Sequence, residues 1–199
     1  MSDSFILNVY IHSSMAMLEF DDLKNLDVIT QDAYILGEIL DVRFEDLTWN
    51  IQGLKVKTQS KVSKMISVGS GKSMVLLQPG KYAINDVLVL PDSIDSVRNR
   101  LTADNNNYKS LADTLGMKVM SSESVLVGTV DSIQMDIDNW KMVSMKVKLD
   151  KGAYAPLDIK KGLLGKKVSG LLMTDISEIS DTIKLSLSIT EVKSQVIVD

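Results

Sequence analysis

Residues 28–57 recur without a gap as residues 119–148, and the two tryptophans, Trp49 and Trp140, stand 91 residues apart at equivalent positions. Whatever this chain folds into must therefore be a unit that can be built twice. Only six of the thirty pairs are identical, at Val28, Gly37, Trp49, Lys55, Val56 and Lys57 of the first copy. Yet Val28, Ile39, Val42, Phe44, Ile51 and Leu54 stay apolar as Val119, Val130, Ile133, Met135, Met142 and Met145. A kept hydrophobic pattern over drifted surfaces is the mark of one fold used twice. With four residues inserted in the second copy, Ile84 to Leu90 aligns with Ile179 to Leu185, and Leu76-Leu77 falls on Leu171-Leu172. The units then run from Leu26 to Pro91 and from Met117 to Ile189. A domain of about 60 residues buries only about 60% of its unfolded surface, so we expect the two to pack together or recruit partners.

The alternation within each copy predicts strands that change face. In copy one Ile35, Gly37 and Ile39 give way to Val42 and Phe44, and Trp49 and Ile51 give way to Leu54 and Val56; copy two breaks parity at the same places. A strand that switches face needs a bulge, and paired bulges curl a sheet toward a barrel. Gly37 and Gly128, inside these strands, mark a bend or a close backbone approach. Trp49 and Trp140 read as core anchors. The segments Glu45-Asp46-Leu47-Thr48 and Asp136-Ile137-Asp138-Asn139 read as hairpin loops. Ile183, Leu185, Leu187 and Ile189 alternate with polar residues as one wet-faced strand, whereas Val87-Leu88-Val89-Leu90 is apolar on both faces. If Leu88 and Leu90 fill the core, Val87 and Val89 point outward and need a cover.

The expected organisation is an N-terminal extension over 1–25, a first barrel over 26–91, a linker over 92–116 and a second barrel with a C-terminal strand or tail over 117–199. The linker holds the loop Ala103-Asp104-Asn105-Asn106-Asn107, with short helices around Ser93–Leu101 and Tyr108–Leu115. The extension, with Phe5, Leu7, Val9 and Ile11 alternating, reads as a β hairpin with no counterpart before copy two.

Composition narrows the chemistry. The chain has no cysteine, which removes thiolate metal sites and cysteine nucleophiles and fits a reducing, cytoplasmic setting. No apolar run reaches the roughly 18 residues that a membrane span needs. A net charge of −4, with Arg43, Arg98 and Arg100 the only arginines, counts against nucleic acid as partner. Gly69-Ser70-Gly71-Lys72-Ser73 resembles the end of a phosphate loop, but Ile66 stands where its first glycine belongs and a strand follows in place of a helix. His12 is the single histidine, so triads and histidine metal sites have one available member. Asp136 and Asp138 start like a calcium loop that no third ligand completes. No cofactor, metal or catalytic constellation is expected. Lys55 and Lys57 recur as Lys146 and Lys148, joined by Lys61, Lys64, Lys151, Lys160, Lys161, Lys166 and Lys167. They read first as a solvated face, and second as a patch for an acidic partner, anionic lipid or RNA.

Asp27-Val28-Ile29-Thr30, then Ile35 to Val42, then Ile51-Gln52-Gly53-Leu54-Lys55-Val56, resembles the opening of a PRC-barrel domain, and Ile84-Asn85-Asp86-Val87 resembles its closing strand. That family includes the cytoplasmic barrel of the photosynthetic reaction centre H subunit and part of a bacterial ribosome-maturation factor. The resemblance implies an all-β chain of two tandem small PRC-like β-barrels with a short helical linker and an N-terminal β extension. It also implies a non-enzymatic adaptor of the archaeal cell-division kind, recruited to the division site. Its partners would then be SepF, the tubulin-like FtsZ or other PRC-barrel proteins, with self-association as a homodimer expected. The candidate interaction face is Val87 and Val89 with Lys55, Lys57, Lys146 and Lys148. An RNA- or ribosome-associated assembly factor is the alternative, and an enzyme or ligand carrier a third reading without residues to support it.

Overall fold

A computed structural model describes residues 17–59, 62–63, 74–104, 107–159 and 167–195. The first strand and turn of the expected hairpin, Phe5 to Ser14 including His12, with the Gly69–Ser73 turn and lysines 61, 64, 160, 161 and 166, lie outside the described residues, while the hairpin's return over Met15 to Phe20 includes a strand at Met17–Glu19 and the start of a helix at Phe20. In chain order, β1 (Met17–Glu19) and a one-turn helix α1 (Phe20–Leu23) lead into β2 (Asp27–Ile29), β3 (Ile35–Phe44) and β4 (Ile51–Thr58). Next come β5 (Met74–Leu77), β6 (Ala83–Ile84), β7 (Val87–Val89) and β8 (Leu101–Ala103). The series then repeats as β9 (Lys109–Ser110), α2 (Leu111–Thr114), β10 (Lys118–Met120), β11 (Leu126–Asp136) and β12 (Lys141–Leu149). β13 (Lys167–Leu172), β14 (Ile176–Ile179), β15 (Ile183–Leu185) and the helix α3 (Ile189–Ser194) complete it.

These strands make two sheets, one of them a half-barrel, with only short helices. The first runs β6-β7-β2-β3-β4-β5-β8 and the second β13-β12-β11-β10-β15-β14. Each has one parallel pair, β2 with β7 and β10 with β15. Val28 lies opposite Leu88 and Val119 opposite Ile183, so Leu88 and Ile183 hold equivalent places, as the four-residue insertion predicts.

Both parity breaks are bulges, and both recur. Leu40 is the extra residue between the Ile39–Val56 and Asp41–Lys55 pairs, and Asp131 is its counterpart between Val130–Val147 and Ser132–Lys146. Gln52 and Val143 are the extra residues on the opposing strands. Gly37 and Gly128 show why no side chain fits there. A Cβ at either would sit 2.1 Å from a carbonyl oxygen of the facing strand, of Lys57 and Lys148 respectively. Backbones with positive φ repeat too: Asn25 with Gly116, Ala33 with Ser124, and Trp49 with Trp140.

The sequence alignment of β5 is one residue out. Leu54 pairs with Leu77, but its equivalent Met145 pairs with Leu171, and Leu77 and Leu171 are both fully buried while Leu172 is 47% exposed. A bulge between Met145 and Val147 absorbs the difference, beside Gly170 at φ +93°. The C-terminal strand is also shorter than expected. It stops at Leu185, because Ser188 and Glu191 form a reciprocal capping box that starts α3 at Ile189.

Residues 17–25 do have a counterpart, contrary to the expectation for the extension. Shifting β1, α1 and Asn25 by 91 residues gives residues 108–116, with β9, α2 and Gly116. The pairing is crossed. β1 precedes copy one but pairs with β11 of copy two, Glu19 opposite Gln134; β9 precedes copy two but pairs with β3 of copy one, Ser110 opposite Arg43. Each half thus lends its leading strand to the other, at the same register. Residues 92–116, read as a linker with short helices, contribute more than a connection. Besides a 3-10 turn at Val97–Arg100 and α2, they supply β8 and β9 to the first sheet. One hydrophobic cluster runs through both copies, holding Phe44, Trp49 and Leu54 with Met135, Trp140 and Met145.

Candidate functional site

Trp49 and Trp140 lie where the halves meet, 7% and 8% exposed. Phe44 stacks on Trp49 at 6.1 Å between ring centroids, and Tyr82 meets Trp140 edge-on at 5.6 Å. The Trp140 indole N–H donates to the Gly80 carbonyl at 2.9 Å, tying the loop before β6 to the second half. In that loop the Tyr82 hydroxyl donates to the Gln78 carbonyl. Burial, with the Asp92 carboxylate adding to it, pushes the phenol pKa up to about 12 against the pull of Arg100.

Two of the four candidate lysines belong to the exchanged-strand joints. Lys55 reaches Asp104 at 3.1 Å, and Asp104 also takes the Arg43 guanidinium at 2.9 Å. Arg43 contacts Asp41 at 3.2 Å, and Asp41 accepts the Ala112 N–H at 2.9 Å, so this network pins the start of α2 to β3. In the other joint Lys146 pairs with Glu19 of β1. Arg43, Asp41, Asp104 and Glu19 escape sequence reasoning because the bonds of Arg43 to Asp104, Asp41 to Ala112 and Glu19 to Lys146 span 61, 71 and 127 positions. Asp136 is likewise structural: it accepts the Asn139 side-chain amide at 2.7 Å, which holds its carboxyl below the usual aspartate range. Among the described residues no group of three His, Cys, Asp or Glu is placed to hold a metal.

Val87, Val89, Lys57 and Lys148 lie instead on the outer faces of the two sheets. Residues opposite one another on neighbouring strands share a face. On the first sheet one outer row runs Val87, Asp27, Glu38, Lys57 across β7, β2, β3 and β4, with Lys57 3.3 Å from Glu38. The next runs Ala83, Val89, Ile29, Ile35. Leu88 and Leu90 are fully buried beneath, while Val89 is 37% and Ile35 40% exposed. The equivalent rows of the second sheet read Lys118, Thr129, Lys148 and Glu178, Lys184, Met120, Leu126.

No protein-family model matches this chain, and no curated protein does.

The faces therefore have to be judged by their own chemistry. The first has a continuous apolar row beside two acids. The second replaces Val89 by Lys184 and Asp27 by Lys118, around a shallow depression of about 410 Å³ lined by Lys118, Met120, Ser124, Leu126, Thr182 and Lys184. Sequence reading found Val87 and Val89, since an apolar residue on both sides of a strand is visible in one chain. It passed over Lys118 and Lys184, which look like any wet face until the register sets them beside Met120. Among the described residues no helix is long and apolar enough to cross a membrane.

Proposed function

We propose that this chain is a non-enzymatic protein–protein interaction adaptor. Its two β units, built as PRC-like barrels on the resemblance above, would act in archaeal cell division with SepF, FtsZ or other PRC-barrel proteins. The observation that carries the reading is the outer apolar row Ala83–Val89–Ile29–Ile35, with Val89 and Ile35 among the more exposed large apolar residues. An apolar row across four strands, rimmed by charge, has the character of a surface that a partner covers. Lys55, Lys57 and Lys146 are each paired with a carboxylate within the chain, which takes these three away from the RNA-associated alternative.

The test is capture of the tagged full-length chain at native level from its own cells after nuclease treatment, beside a Val87→Lys, Val89→Lys variant. Enrichment of FtsZ, SepF or PRC-barrel chains that the variant loses would support the adaptor. Ribosomal proteins lost on nuclease treatment, with capture indifferent to Val87 and Val89, would overturn it in favour of the assembly-factor reading.

A further inference from the structure

The two outer faces occupy equivalent positions in the repeat and carry opposite chemistry. On the first, Asp27 and Glu38 lie beside Ile29, Ile35, Val87 and Val89, with Lys57 already held by Glu38. On the second, Lys118, Lys148 and Lys184 surround Met120 and Leu126, with Glu178 opposite Lys184 as the acid in those rows. The substitutions are position for position: Asp27 becomes Lys118, Glu38 becomes Thr129, and Val89 becomes Lys184. Lys57 stays lysine as Lys148 and Ala83 becomes Glu178, so the contrast rests on the first three positions, around Ile29 and Ile35 kept apolar as Met120 and Leu126. A surface selected to meet its counterpart carries such a contrast.

We infer that the first-sheet face of one molecule docks on the second-sheet face of another, so that the partner is a second copy of this chain. The inference rests on the adaptor reading and names the partner of its Val87/Val89 face. The contact is heterologous. Each molecule in a pair keeps one unused face and the pair as a whole one of each kind, so association continues into an open chain or closes into a ring. The crossing of β1 and β9 matters here, because it joins the two faces through one hydrophobic core and the assembly inherits a fixed angle from each subunit. Acid against lysine sets the polarity; Val89 and Ile35 against Met120 and Leu126 supply apolar burial.

Sedimentation of the full chain over a concentration series tests this, with two charge-changed variants. Asp27→Lys with Val89→Lys blocks the first face and leaves the second; Lys118→Glu with Lys184→Glu does the reverse. The wild type is expected to grow in average mass with concentration, and to lose at least about tenfold in association constant between low and high salt. Each variant alone should stay monomeric, because like charges then face one another, and an equimolar mixture should associate again, through the unaltered pair of faces and through the charge-swapped pair. All four substituted residues are at least partly solvent-facing, and circular dichroism of each variant checks that the fold is kept. Wild type that is monomeric up to about 1 mM, or growth unchanged by salt, overturns the inference whatever the variants do. So does a variant that still dimerises by itself, since that contact would be face to like face. Should self-association fail while capture of FtsZ, SepF or another PRC-barrel chain still depends on Val89, the adaptor reading stands and only the second copy is excluded.

Discussion

Trp49 and Trp140 hold the same left-handed backbone conformation, at φ 62° and 50°, and each gives its carbonyl to the other half. The Met142 N–H donates to Trp49 at 2.9 Å and the Ile51 N–H to Trp140 at 2.7 Å, with Asn50 and Lys141 bridged between them. Contacts that map onto themselves when the copies are interchanged define a pseudo-two-fold relationship inside one chain. With the crossed pairing of β1 and β9, they make the two halves parts of one structure. A left-handed tryptophan costs about 1–2 kcal/mol of backbone strain, offset here by burying the indole and satisfying the carbonyl.

The first prediction concerns cooperativity. Because each half contains a strand of the other, neither can unfold and leave its neighbour intact. Trp49→Phe and Trp140→Phe variants each leave a single fluorophore, reporting copy two and copy one respectively. The fluorescence transitions in urea should coincide, within each variant, with loss of far-ultraviolet circular dichroism. A tryptophan signal that changes well before the strand signal would show that the halves melt separately.

The repeat glycines give a second, sharper comparison. A methyl group at Gly37 or Gly128 would have to displace the backbone of the facing strand, so each Gly→Ala change is expected to cost about 3 kcal/mol or more, and by similar amounts in the two copies. Gly116, at φ +79° with open space around the missing Cβ, is different. Its counterpart is Asn25, a residue that tolerates this conformation, so Gly116→Asn should change stability by less than about 1 kcal/mol. Denaturant midpoints at unchanged slope would measure all three.

What was legible in the sequence was whatever alternation encodes. The face switches at Leu40 and Gln52 could be read because a bulge leaves a parity error in the apolar pattern, and the equivalence of Leu88 with Ile183 followed from aligning Ile84 with Ile179, whereas their parallel pairing with Val28 and Val119 did not. The slip of β5 was hidden, since a bulge on one strand only, beside Gly170, moves the register without altering composition. The α3 start was written as Ser188-x-x-Glu191 but was masked by the alternating run before it. The exchange itself had almost no local signal. Met17-Leu18-Glu19 and Tyr108-Lys109-Ser110 share no residue, and which long strand each joins is decided by tertiary packing. The charge contrast of the outer faces became visible only once the register placed Lys118, Lys148 and Lys184 around one apolar centre.

At the joint between β9 and β3, Arg43 lies between two carboxylates with little access to water. Removing it by Arg43→Ala leaves Asp41 and Asp104 facing each other without their shared cation, and is expected to cost about 3–5 kcal/mol. Lys55 keeps contact with Asp104 and can compensate only that one acid. Lys57→Ala, which breaks the exposed pair with Glu38, should cost less than about 1 kcal/mol. Equal effects from the two substitutions would mean that the Arg43 network does not hold the crossed strand.

Alkaline titration isolates the contact between the loop before β6 and Trp140. The Tyr82 phenol, raised to about 12 chiefly by burial, stays protonated in the folded chain at pH values where an unfolded tyrosine, near 10, has ionised. As pH climbs from about 10 to about 12, the unfolded state sheds a proton that the folded state keeps, so folding stability falls across that window and is unaffected below it. Partial exposure of the ring limits the loss to about 1–2 kcal/mol. The Tyr82→Phe variant should be the less stable protein at neutral pH by about 1 kcal/mol, through loss of the bond to the Gln78 carbonyl. Its melting temperature should then fall less steeply than that of the wild type above pH 10, bringing the two curves together. Parallel curves from neutral to strongly alkaline pH would show that Tyr82 ionises as freely in the fold as outside it.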